Sequence, residues 1–324
     1  MDKEEMLRRI DPELRDCYAA MQPYSLAYDA LRAIRAYSIS QFRRAPSAFA
    51  GRGDICLKLI TIDGADHMPL ELRVYEPLPR GEALPVILYF HGGGGVMSSA
   101  EQDDPFCLEL ALRERCLVVS VEYRLAPEHP APAGQLDCYA AWKWLCAEGA
   151  QRFNADLSRS AFYGGSGGGN MALGTALRLL DQGERLPTVL LPLYPMIDER
   201  GVTPSSREIT DESLWGRTQN QQAWDYCLHG LGGVKTEAPG PYTAPVHRED
   251  FSGLPPVLSF VGALDLFRDE TLELVQKLAR CGVPVEFTLY PGCYHGFEVW
   301  VPGAEVSQRA RRSIHEFLQR AFSC

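Results

Sequence analysis

The stretch Ala161-Phe162-Tyr163-Gly164-Gly165-Ser166-Gly167-Gly168-Gly169-Asn170 decides how the rest of the chain is read. A short apolar run ends at Tyr163, and a helical pattern begins near Asn170. Between them, Gly164, Ser166 and Gly168 spell G-x-S-x-G. A strand that turns sharply into a helix leaves no room for side chains two places either side of the serine. The helix that follows points its first N–H groups at any negative charge developing there. A flexible Gly-rich loop is the competing reading in a chain with 29 glycines. The position between strand and helix favours the nucleophile.

Outward from this point the same rhythm recurs. Pro85 to Phe90, Leu117 to Val121, Val189 to Leu193, Pro256 to Val261 and Val285 to Tyr290 are short continuous apolar runs. Amphipathic segments such as Leu136 to Leu145 and Asn170 to Leu180 lie between most of them. Strands apolar on both faces that alternate with helices imply a mostly parallel sheet covered on both sides. Ile55 to Ile62 and Leu70 to Tyr75, joined through Asp63-Gly64, predict an opening antiparallel hairpin. The fold class is therefore α/β, with about eight strands. Residues 1 to 45 read as two helices. A segment from 199 to 245 has no clear strand but a helical piece near Gln219 to Leu231, and an insertion of that length often covers a site.

Composition narrows the function. The net charge is −10, and no cluster of lysine and arginine could meet phosphates, so no nucleic-acid partner is expected. The first residues lack the apolar core of a secretory signal, and no apolar run could span a bilayer. A cytoplasmic location is expected. Ten cysteines are scattered without C-x-x-C, as buried free thiols would be. No spacing of His, Cys and Asp suggests a metal, and no cofactor is needed.

A serine nucleophile needs a base, and the base an orienting acid. His295, in Tyr290-Pro-Gly-Cys-Tyr-His-Gly-Phe297, follows the last strand. Asp265, in Gly262-Ala-Leu-Asp-Leu-Phe-Arg-Asp-Glu270, follows the strand before it. Both lie beyond carboxyl ends of strands, where parallel sheets build their sites. Asp269 and Glu270 are expected to cap the next helix. His91-Gly92-Gly93-Gly94-Gly95 follows another strand, and glycines there let backbone N–H groups approach a substrate oxygen. A phosphate loop is the rival, but neither glycine run fits G-x-G-x-x-G and no Gly-Lys-Ser/Thr exists. His91 itself is expected to hold the loop.

Taken in order, His91 to Gly94, Tyr123 to Pro130, Gly164 to Asn170, Asp265 to Glu270 and His295 to Phe297 resemble the hormone-sensitive-lipase-like branch of the α/β-hydrolases, which includes many microbial esterases. The resemblance covers nearly the whole chain. It implies a Ser166, Asp265 and His295 triad, and an oxyanion hole from the N–H groups of Gly93, Gly94 and Gly167. It also implies a helical cap, here residues 1–45 and 199–245, over a core of 46–198 and 246–324. The expected activity is hydrolysis of short-chain carboxylic esters through an acyl-enzyme. An amidase or formamidase with the same triad, or a ligand-binding receptor on the same fold, are the alternatives; His295 speaks against a receptor. Tyr24, Tyr28, Trp215, Trp224 and Phe297 are candidates for the substrate pocket, and a homodimer through edge strand Val285 to Tyr290 is expected. The chain departs from the family in carrying Gly165 for the usual Asp and Gly167 for the usual Ala. That implies a looser elbow, in which alanine at 167 would keep activity within roughly tenfold because the N–H survives.

Overall fold

The computed structural model describes residues 1–44, 52–79, 81–232 and 239–323. The expected cap–core junction at 45/46 and residues 233–238 of the insertion lie outside the described residues. Eight strands form one sheet: β1 (Ile55–Asp63), β2 (Pro69–Pro77), β3 (Leu84–Phe90), β4 (Leu117–Val121), β5 (Ala155–Gly165), β6 (Val189–Leu193), β7 (Val257–Gly262) and β8 (Val285–Tyr290). Their order is β1-β2-β4-β3-β5-β6-β7-β8. β2 runs antiparallel to both β1 and β4, and the remaining pairs are parallel. Every predicted apolar run lies in a strand. β5 is longer than its apolar part, because its first half, Ala155 to Arg159, is only partly buried and carries polar residues.

The central runs are almost wholly apolar because both faces of the sheet are covered there, whereas edge strand β8, with Glu286 and Thr288, is only partly buried. Along β3, Val86, Leu88 and Phe90 belong to one core and Ile87 and Tyr89 to the other. The first core is closed by the helices Ala133–Trp144, Gly167–Asp181 and Arg268–Arg280. The second is closed by Asp104–Glu114, Glu305–Phe322 and the amino-terminal helices. Alternation of side chains along a strand thus feeds two cores from one sequence.

The amino-terminal segment departs from expectation. It forms three helices, Lys3–Arg9, Pro12–Ala20 and Tyr28–Arg44, rather than two. The apolar spacing from Leu7 to Cys17 runs across a break at Ile10, which is extended. Pro12 has no N–H to donate back and restricts the residue before it, so the helix restarts there with Asp11 as its cap. The segment is bonded to the insertion. The Met1 ammonium donates to the Glu208 carbonyl, and the Tyr18 hydroxyl donates to Asp211 at 2.7 Å. Tyr24 donates to the Leu214 carbonyl at 2.6 Å. Of the nine described cysteines, Cys107, Cys116, Cys138 and Cys293 are buried and the other five are half-buried; all nine are free thiols.

Candidate active site

Sheet order brings the critical loops into a row. Phe90, the last residue of β3, pairs in register with Gly164 on β5, so the loop after β3 emerges beside Ser166. β7 and β8 end level with each other, Gly262 opposite Tyr290, so the loops carrying Asp265 and His295 emerge together.

Ser166 stands between β5 and the helix Gly167–Asp181 at φ 58° and ψ −122°. A non-glycine residue held there is strained by about 1–3 kcal/mol and persists only where its surroundings impose it. Here its N–H donates to the Leu193 carbonyl at 3.0 Å, and its carbonyl accepts from Asn170 and Met196. A Cβ on Gly164 would lie 2.3 Å from the Gly168 backbone, and one on Gly168 would lie 2.0 Å from the Phe90 carbonyl oxygen. Both glycines of the motif are therefore required by close approach.

The Ser166 hydroxyl lies 3.0 Å from His295 Nε2, and His295 Nδ1 lies 2.9 Å from Asp265 Oδ2. Asp265 is almost fully buried, and its other oxygen accepts from the Phe267 N–H at 2.9 Å. The imidazole is held edge-on between the rings of Tyr194 and Phe267, with centroids at 5.0 and 5.1 Å. Such a line can take a proton from the serine and hold it on the imidazole. Other histidines are committed elsewhere: His67 to Asp63, His247 to Glu199 and His315 to Glu114.

Gly93, Gly94 and Gly95 have φ of 95°, 61° and 70°, a run that only glycine adopts freely. The N–H groups of Gly93, Gly94 and Gly167 donate to no group among the described residues. His91 does hold this loop. It is fully buried, stacks on Tyr123 at 4.1 Å, and Nδ1 contacts the Gly92 carbonyl at 2.8 Å. Burial pushes its pKa down to about 4.

The looser elbow is not what folds. A Cβ on Gly167 would lie 2.7 Å from the Gly94 nitrogen and 2.9 Å from the Gly95 nitrogen. Gly167 admits the loop at Gly94 and Gly95 into space that an alanine methyl would fill, so the elbow is tighter. Gly165 likewise makes room, because a Cβ there would meet the Tyr194 ring at about 3 Å. Tyr194 in turn donates its hydroxyl to the buried carboxyl of Glu298, whose pKa burial pushes up.

The pocket candidates divide. Trp215 lies against the oxyanion loop, since a Cβ on Gly94 would meet its ring at 2.5 Å. Trp224 lines a cavity of about 20 Å³ with Gly94, Gly167, Asn170, Met196 and Cys227. That is space for little more than one water. Phe297 is misassigned: it is fully buried under the sheet against Tyr290 and Phe260, with centroids at 5.3 and 6.1 Å. The short helix Phe297–Trp300 turns that side chain into the core. Tyr28 is also elsewhere, its hydroxyl 3.3 Å from Glu128. Tyr24 is spent on the bond to Leu214. Asp269 and Glu270 do not cap their own helix; their carboxylates reach across to the N–H groups of Ser205 and Ile197, both at 2.7 Å. Tyr194 and Phe267 were not anticipated, although both follow strand ends, which is the one signal that marks them. A larger cavity of about 410 Å³ lies at the opposite end of the sheet, beside Leu84, Arg115 and Arg159. It holds none of these groups, whereas the small cavity adjoins Gly94 and Gly167.

Comparison with known proteins places the chain among α/β hydrolases. A model of a family with the α/β hydrolase fold matches residues 87–299. Esterase LipI of Mycobacterium tuberculosis is 36% identical over 76% of this chain and 77% of its own length. Carboxylesterase NlhH of the same organism is 34% identical over 80% of this chain and 82% of its own. The structure of a bacterial heroin esterase superposes with a TM-score of 0.88 at 32% identity, over 98% of this chain and 99% of that one.

Proposed function

We propose, for a chain that belongs to the hormone-sensitive-lipase-like branch of the α/β-hydrolase fold family, ester hydrolysis by acyl transfer to Ser166 and then to water. That it is an ester hydrolase of carboxylesterase type follows from its relatives. The observation that carries the mechanism is the unbroken line Ser166 Oγ, His295, Asp265, with contacts of 3.0 and 2.9 Å, beside the N–H groups of Gly93, Gly94 and Gly167, which donate to no group among the described residues.

His295 takes the Ser166 proton as the oxygen attacks the ester carbonyl. The N–H groups of Gly93, Gly94 and Gly167 stabilise the oxyanion. His295 then gives the proton to the departing alcohol, leaving the acyl group on Ser166. Water, deprotonated by the same imidazole, releases the acid. Asp265 stays ionised and holds the tautomer that presents Nε2 to the serine. We assign residues 1–45 and 199–245 to a cap over a core of 46–198 and 246–324. Short-chain acyl esters are the substrates in this reading, because the rings of Trp215 and Trp224 crowd the space beside Gly94 and Gly167.

A fluorophosphonate probe tests the nucleophile: it is expected to label the wild type once and to leave Ser166→Ala unlabelled. His295→Ala is expected to lower kcat by several orders of magnitude, with little further loss when Ser166→Ala is added, because members of one triad fail together. Labelling that persists in Ser166→Ala, or near-normal turnover in His295→Ala, would refute the assignment.

A further inference from the structure

We propose that Arg35 is a positioning residue that fastens the cap to the oxyanion loop, so that the hole is complete only when the helix Tyr28–Arg44 is seated. This rests on the acyl-transfer reading of Ser166. Arg35 lies on that helix, remote in sequence from every strand end. Its Nε donates to the Val96 carbonyl at 2.7 Å, and Nη2 donates to the same oxygen and to the Ala126 carbonyl at 2.5 Å. Nη1 donates to both oxygens of Glu128 at 2.9 Å.

The two carbonyls belong to the hole's own framework. Val96 and Met97 both donate their N–H to the Gly93 carbonyl at 3.0 Å, closing the turn that displays the Gly93 and Gly94 donors. Ala126 donates its N–H to the Gly95 carbonyl at 2.9 Å. The guanidinium therefore closes a circuit that runs from Gly93 through Val96, Arg35 and Ala126 back to Gly95. Val96 is fully buried and Ala126 nearly so, and removing the guanidinium takes the side-chain donor from both carbonyls. Three consecutive glycines at positive φ have little conformational preference of their own and need an external tie. Arginine suits the place because its planar fork meets two carbonyls and a carboxylate at once; a lysine ammonium is a point charge with shorter reach. Opening the cap to admit an ester withdraws Arg35 and loosens the hole, and reseating it restores both. Access and transition-state stabilisation are then one equilibrium.

The test compares Arg35→Ala, Arg35→Lys and Ser166→Ala, with circular dichroism to establish folding. In Arg35→Ala, kcat on a soluble acetate ester is expected to fall about 10²-fold, the scale of losing one oxyanion donor, with KM within roughly threefold of wild type. Affinity for a trifluoromethyl ketone, whose adduct with Ser166 carries the oxyanion charge, is expected to weaken in proportion to kcat/KM. Arg35→Lys should lie between, and guanidinium ion added to Arg35→Ala should restore part of the rate. If Arg35→Ala does not fold, Glu128→Gln serves: it keeps the guanidinium but loses the bidentate anchor, and roughly a threefold to tenfold fall in kcat is expected with the same signature. A folded Arg35→Ala with unchanged kcat, or with its whole loss in KM, overturns the latch, as does an unchanged Glu128→Gln where the alanine variant is unfolded. Ester turnover by Ser166→Ala would overturn the acyl-transfer reading and the latch with it. An inactive Ser166→Ala beside a normal Arg35→Ala overturns the latch alone.

Discussion

Gly167 shows how much one missing methyl group controls. The resemblance to relatives that carry alanine there treats the side chain as neutral, since only the N–H is used. In the folded chain the missing Cβ is space, and the Gly94 and Gly95 amides occupy it. Gly167→Ala must push backbone, which yields less readily than a flexible side chain. Overpacking of this kind costs about 1–3 kcal/mol. The expected outcome is a folded enzyme with kcat lowered by about 10- to 100-fold through retreat of the Gly94 donor. A variant within threefold of wild type in both kcat and thermal midpoint would show that the loop gives way freely. His91, beneath the same loop, makes a prediction for acid. Its folded pKa of about 4 lies below the ordinary 6.5, so the unfolded chain binds its proton first as pH falls. The stability it contributes is full above pH 6.5 and is lost between 6.5 and 4, by up to about 3 kcal/mol. Urea titrations at pH 7 and pH 5 are expected to show a smaller drop for His91→Phe than for the wild type. Equal drops would remove His91 as the source.

At the scale of elements, the helix Arg217–His229 and the segment before it reach the loop at Gly94. Trp215 lies over Gly94, and its indole N–H donates to Asn220 at 3.2 Å, which fixes the ring there. Trp224 and Cys227, a turn apart on the helix, wall the small cavity, and the Cys227 thiol contacts the Gly94 carbonyl at 3.4 Å. Trp215, just before the helix, and Trp224 and Cys227, on it, therefore bound the free space beside Gly94. Trp215→Ala is expected to shift preference from acetate toward hexanoate p-nitrophenyl esters, by about tenfold in the ratio of kcat/KM. The scale is that of a few methylenes of apolar contact, each worth up to about 0.8 kcal/mol. An unchanged ratio, in a variant that stays folded, would place the acyl group elsewhere.

For the whole molecule, the sheet has two edges, β1 and β8. Strand β8 is only half-buried, with Leu289 exposed and Glu286 paired to Arg320 on the carboxyl-terminal helix. An edge strand with free backbone groups must be paired or protected. We expect two copies to meet there, and light scattering at micromolar concentration should return twice the mass of the chain. A clean monomer mass would dispose of that arrangement. No helix among the described residues is long and apolar enough to cross a membrane.

What could be read without coordinates was whatever a local rule governs. Apolar runs of five or six residues, flanked by amphipathic segments, specify strands buried on both faces. That Ser166, Asp265 and His295 would meet was legible because each follows a strand end and the sheet's topology gathers such ends on one side. The other contacts depend on residues far apart in the chain, and no local pattern encodes them. Phe297 and Trp215 are both large aromatics near the motifs, yet one fills the core and the other faces the oxyanion loop. The collision that an alanine at 167 would meet comes from a loop seventy-odd residues earlier. Arg35 sits on an ordinary helix face, and only the docking of that helix onto Val96 and Ala126 gives its fork something to hold. Secondary structure and the order of the motifs follow from short-range sterics and hydrophobic period. Which buried atoms meet, and which side chain is therefore indispensable, was decided by the packing of elements far apart in the chain.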